Sequence, residues 1–215
     1  MIKSYGSILF TDIVGSSKLW AANSIVMKKN IDLHFKNVLK LSKVHMGLVV
    51  KNIGDAFMVF FQGKNSISRA IAFSIELIKI EKVLQFRIGI CEGPVYVKKY
   101  MLQNCSMNDY FGTTVNTASR MESKIATTGS VAFGIIPSDN KCTDFSNIRD
   151  ILEKLAHFHV IKYVKDIDLN KCKSDVKLMR RSGRMLTGQH VVMCKSVDEL
   201  KGVPPIKAYT IHANN

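Results

Sequence analysis

The sequence predicts an α+β fold built on a ferredoxin-like βαββαβ core, an antiparallel sheet with its helices on one face, followed by a C-terminal α/β extension. Three observations predict it. The apolar run Ile8 to Phe10 stops at a carboxylate, Asp12, and a small-residue turn through Gly15 and Ser16 opens a helical pattern. The stretch Lys51 to Met58 sets Gly54 and Asp55 between two apolar runs, as a hairpin does. A third apolar stretch, Phe86 to Val97, follows a second apolar helix and supplies the closing strands.

Taken in order, the first strand covers about Ser7 to Val14. Leu19, Ile25, Ile31, Leu33, Val38, Leu39 and Leu41 then recur at rough helical spacing, and Gly47 ends that helix. Leu48 to Ile53 and Ala56 to Phe61 form the hairpin. Asn65 or Ser66 caps a second helix, whose apolar positions run from Ala70 to Ile78. Phe86 to Cys91 is a strand, Glu92–Gly93–Pro94 a turn, and Val95 to Val97 a further strand. This order leaves the second face of the sheet open, and it brings Asp12 and Asp55 to one end of neighbouring strands. Two carboxylates that close repel unless one is protonated or a divalent metal lies between them. Tyr110 to Lys124 reads as a loop leading into a helix, Val131 to Phe133 as a short strand, and Val191 to Met193 and Ile206 to Ile211 as strands. Ile148, Ile151, Leu152, Leu155 and Ala156 share a helical face.

The length of 215 residues suits one domain, 1–215, with the segment 137–190 the least regular part of it. No apolar run approaches the ~20 residues that span a bilayer, and the first residues lack the apolar core of a secretion signal. The expectation is a soluble, cytoplasmic protein. Five scattered cysteines without a C-x-x-C pair argue against both a disulfide framework and a zinc cluster. The net charge of +14 is read as a solvated basic surface, and no nucleic-acid partner is expected. The densest basic cluster, Lys177, Arg180, Arg181 and Arg184, lacks the interleaved aromatics of a single-strand platform.

Three further pieces carry chemistry. Within Asp109 to Ser123, Asn116 and Arg120 stand four apart, so they share one helix face, where an amide and a guanidinium can grip a sugar and a phosphate. Lys51 stands just ahead of Asp55, and Glu199 to Val203, with Lys201, precedes the last strand. Each residue also has an ordinary reading. Asp12 or Ser16 could cap a helix, Asp55 could be a turn residue, Lys51 a solvated strand residue, and Arg120 a partner of Glu122 or of a surface acid.

The stretches Phe10 to Ser17, Lys51 to Met58, Arg87 to Val97 and Asp109 to Ser123, with Leu200 to Tyr209 more weakly, resemble the catalytic domain of class III nucleotidyl cyclases, the adenylate and guanylate cyclase family. Their order along the chain matches as well. The resemblance implies that Asp12 and Asp55, with the backbone carbonyl of Ile13, hold two Mg²⁺ or Mn²⁺ ions. It implies that Asn116 orients the ribose, that Arg120 stabilises charge on the α-phosphate, and that Lys201 holds the terminal phosphates. Lys51 and Asp109 would read the base. In the family, guanylate cyclases carry Glu and Cys at these two positions, so the pair implies ATP as substrate and cyclic AMP and pyrophosphate as products. The implied assembly is a head-to-tail homodimer with shared active sites, one protomer giving the metal carboxylates and its partner Lys51, Asp109, Asn116 and Arg120. Cys91, where the family often has His, is read as a packing residue. The alternatives are a cyclase of GTP or a pyrimidine nucleotide, and a catalytically silent nucleotide-binding subunit. A palm-fold polymerase or diguanylate cyclase shares the core but lacks the Asn116/Arg120 helix.

Overall fold

A computed structural model describes residues 1–102, 105–136, 150–151, 155, 191–197 and 206–212. The first strand, β1 (Ile2–Ile13), runs through the middle of the sheet. Two helices follow it, α1 (Ser16–Ala22) and α2 (Ser24–Val44), where the periodicity predicts one. The break is at Asn23, whose backbone is extended and whose side chain accepts a hydrogen bond from the Val26 N–H at 3.0 Å. That is an N-cap, and it ends α1 and starts α2.

The hairpin forms as expected from β2 (Gly47–Ile53) and β3 (Ala56–Gln62). Ile53 pairs with Ala56, so the turn is the two residues Gly54 and Asp55, and Gly54 takes the φ of +65° that a two-residue turn needs. Helix α3 (Ser66–Ile80) and strand β4 (Phe86–Leu102) complete the core. The strands lie in the order β2-β3-β1-β4, each neighbour antiparallel, as a βαββαβ chain requires. Beyond them come β5 (Cys105–Phe111), α4 (Thr113–Arg120), a π-helical turn (Met121–Ile125), and β6 (Ser130–Ile135). Strand β6 pairs parallel to β4, and β7 (Val191–Val197) and β8 (Ile206–His212) extend the sheet as β6-β8-β7.

Two expectations are corrected. Glu92–Gly93–Pro94 is not a turn, because β4 continues through it opposite Ser7, Gly6 and Tyr5 of β1. Proline is tolerated there because the other side of β4 is between partners: β6 ends opposite Glu92, and pairing with β5 covers only Tyr96 onward. The second face of the sheet is also not open throughout. Leu9, Val59, Phe61, Phe73 and Ile88 pack on the helix side with α2 and α3. Ile8, Met58, Phe60, Cys91 and Val95 pack on the other side against Tyr110, Ala118 and Met121. Because both faces are covered, every residue from Phe57 to Phe61 is buried, each such side chain contributing about 1.5–3 kcal/mol. Gly89 of β4 lets the covering helix approach: a Cβ there would stand 2.1 Å from the Glu122 nitrogen and 2.4 Å from the Ala118 oxygen. Of the helical face expected near 148–156, Ile151 and Leu155 are buried in the helix-side core, and the rest lies outside the described residues.

Candidate active site

Asp12 and Asp55 reach one end of the sheet by register. Thr11 pairs with Phe57 across β1 and β3, and its Oγ1 accepts from the Phe57 N–H at 3.0 Å. The next residue of β1 is Asp12, level with the Gly54–Asp55 turn. Ile13 is buried at the end of the same strand. Asp55 Oδ2 is buried without a hydrogen-bond partner. Asp12 is paired to the Arg87 guanidinium of β4, directly opposite it in register. Arg87 Nε also lies 3.2 Å from Glu122 Oε1, so one guanidinium ties β1 to the π-helical turn. The hydrogen bond to Asp12 holds the Arg87 pKa above its ordinary value. Burial, then the nearby Asp12 charge, pushes the Glu122 carboxyl up to about 7, against the opposing pull of Arg87.

Neither Arg87 nor Glu122 was among the candidate residues. The available signal was an arginine inside an otherwise apolar strand, Phe86 to Cys91. The ordinary alternative of an Arg120–Glu122 pair fails, because positions two apart in a helix do not face each other. Among the described residues Arg120 has no ion pair.

Among the described residues no group of three or more His, Cys, Asp or Glu is placed to hold a metal ion. The two carboxylates nonetheless fit a Mg²⁺-type site. Such an ion takes one or two carboxylates and completes its shell with water and substrate phosphates. The buried, unpartnered oxygen of Asp55 is a ligand atom of that kind.

The third group sits on the second face. Beyond Val95, β4 and β5 form a tongue that folds back toward β2 and β3, and the Tyr110 ring lies 4.5 Å from that of Phe60. The tongue delivers Asp109 to Lys51 of β2, with Lys51 Nζ donating to both carboxylate oxygens at 2.7 and 2.8 Å. A register shift in β2 between Val49 and Lys51 accompanies that placement. Asn116 is exposed on α4, and Arg120 is half-buried one turn on. Lys201 lies outside the described residues. Cys91 is fully buried, and burial pushes its thiol far up, as suits a packing residue.

The adenylate and guanylate cyclase catalytic domain family matches residues 3–133. The chain belongs to this family. The cyclase domain is 33% identical over 134 residues to the human guanylate cyclase soluble subunit beta-2, a match covering 54% of this chain and 21% of that protein. It therefore spans about a fifth of that curated relative's length. Its fold is that of solved class III cyclase domains. The guanylate cyclase domain of RhGC from Catenaria anguillulae, solved with GTP, superposes at a TM-score of 0.66 with 18% identity, covering 100% of both chains. The adenylyl cyclase CyaB from P. aeruginosa superposes at 0.66 with 17% identity, covering 100% of this chain and 96% of that one. Among the described residues, no helix of the cyclase domain is long and apolar enough to cross a membrane.

Proposed function

We propose that this domain is an adenylate cyclase, converting ATP to 3′,5′-cyclic AMP and pyrophosphate at a site shared by two head-to-tail copies of one chain. The observation that carries the choice of base is the Lys51–Asp109 pair. Lys51 keeps a further N–H for the N1 acceptor of adenine, and Asp109 keeps lone pairs for the 6-amino group. Guanine presents the reverse pattern at both atoms, setting its N1–H against the Lys51 ammonium and its O6 against the Asp109 carboxylate, a mismatch that such sites reject.

Asp12, Asp55 and the Ile13 carbonyl are the residues that would hold two divalent ions. Bound Mg²⁺ or Mn²⁺ would polarise the α-phosphate and lower the pKa of the ribose 3′-hydroxyl. Asn116 orients the ribose so that this oxygen lies in line with the α-phosphorus. The new bond forms between O3′ and the α-phosphorus, the bond to the bridging oxygen breaks, and pyrophosphate leaves. Arg120, with no carboxylate partner in its own chain among the described residues, is available to the α-phosphate across the interface. An arginine in that role is worth roughly 10³–10⁵ in rate. Lys201 holds the terminal phosphates.

Purified protein incubated separately with ATP, GTP, CTP and UTP, first with Mg²⁺ and then Mn²⁺, is expected to give cyclic AMP as the dominant product by mass spectrometry. A guanine reading is favoured by the 33% identity to several guanylate cyclases, and dominant cyclic GMP would establish it. Asp12→Ala and Asn116→Ala should each be inactive alone. Mixed one to one, they should recover roughly a quarter of wild-type activity, since half the dimers carry one intact site. An inactive mixture of folded, dimerising variants would sink the shared-site arrangement.

A further inference from the structure

Helix α2 buries one side and leaves the other unpartnered. Met27, His34, Val38 and Leu41 face the core. On the outer side, two rows run along the helix at seven-residue spacing, about two turns: Val26, Leu33 and Lys40, and beside them Lys29, Lys36 and Lys43. All six are exposed, Val26 by 49% and Leu33 by 54%. Val44, four residues after Lys40, continues the first row at 60% exposure. The helix holds five lysines and a single carboxylate, Asp32. None of those lysines has an ion pair among the described residues. Against the start of α2 lies α1, which buries no residue and exposes Trp20.

We infer that the outer face of α1 and α2 is a docking surface for an anionic lipid bilayer. Lysines alternating with exposed aliphatics, and a tryptophan at one end, are what a helix lying in the headgroup plane presents. The lysine heads meet lipid phosphate and carboxylate while Val26, Leu33 and Val44 enter the acyl boundary. Charge complementarity selects the acidic leaflet. The exposed aliphatics select lipid over nucleic acid, since Val26, Leu33 and Val44 gain an apolar medium only in a bilayer, and α2 carries no arginine. Such docking would hold the cyclase domain flat on a membrane although none of its described helices crosses one. The inference does not depend on which nucleotide is cyclised.

The test is co-sedimentation of the whole chain with phosphatidylcholine vesicles, with and without phosphatidylserine. Binding to the phosphatidylserine vesicles is expected to be at least about tenfold tighter and to fall with added salt. Lys29→Gln/Lys36→Gln/Lys40→Gln should weaken it by about tenfold or more. Val26→Ser/Leu33→Ser should weaken it while leaving the salt dependence in place. All these positions are exposed, so circular dichroism and cyclase activity in solution should be unchanged. Equal binding to neutral and acidic vesicles, or none to either, would overturn the inference. So would full binding by the lysine variant, loss that instead follows changes at Lys177, Arg180, Arg181 and Arg184, or capture of an oligonucleotide by the same lysines without vesicle binding.

Discussion

Arg87 is the residue on which the end of the site proposed to hold the metals turns. It answers Asp12 on β1 and Glu122 on the π-helical turn, so it fixes where the Asp12 carboxylate points. Partners of that kind typically cost 10–100-fold in metal affinity or activity when lost. Arg87→Met is therefore expected to lower kcat/KM by about 10–100-fold, and Arg87→Lys to restore only part, because an ammonium cannot span both carboxylates as the planar fork does. Steady-state kinetics at varied Mg²⁺ checks both. Glu122 sets a pH dependence. Its carboxyl is raised from 4.5 to about 7, so between those values the folded chain binds the proton more tightly than the unfolded one. Stability from this group is therefore greatest below 4.5 and declines as pH rises toward about 7. Denaturant midpoints of the metal-free protein should fall less steeply over that window in Glu122→Gln than in wild type. Asp12 and Asp55 were legible from the strand end and the turn they occupy, whereas Lys51 and Asp109 became base-reading candidates only through the family resemblance. The Arg87–Glu122 link was not, since spacing along the chain carries no information on which strand a helix will lie against.

At the scale of elements, the contact between β4 and the helix that follows the tongue leaves no room for a methyl group at Gly89. Gly89→Ala puts a methyl group into backbone atoms of Ala118 and Glu122, with no flexible side chain to yield. Overpacking of this sort costs about 1–3 kcal/mol or more, and it should also shift α4, which carries Asn116 and Arg120. Chemical denaturation should show the loss of stability, and turnover should fall further than stability alone explains. The same element shows where sequence reasoning reaches its limit. Strand–turn–helix order, the hairpin at Gly54 and both core helices follow from periodicity and turn chemistry. Glu92–Gly93–Pro94 has the composition of a turn, yet pairing with Ser7, Gly6 and Tyr5 keeps it in the sheet. Asn23 is a cap with no glycine or proline to announce it, and the run of apolar positions hides the break.

At the scale of the molecule, the tongue leaves Tyr96, Met101, Met107 and Phe111 exposed. Apolar side chains in that number suit a second copy, as the shared-site proposal requires. Specific activity should then fall on dilution, and Met101→Asp with Met107→Asp should lower it at concentrations where wild type is fully active, with analytical ultracentrifugation reporting the change in mass. The overall architecture was legible because the four central strands and two helices are consecutive in sequence. The covering of the second face was not, because it depends on α4 returning over β1 and β4 from beyond the tongue. That layout has a consequence for synthesis. All four central strands lie within the first 102 residues, so the sheet can assemble on its helices while the rest of the chain is still being made. Until β5, α4 and the π-helical turn leave the ribosome, Ile8, Met58, Phe60 and Cys91 have no lid, and the nascent chain shows water an oily plate that only later translation covers. Slow codons placed after β4 would lengthen that interval, and chaperone dependence should rise with it.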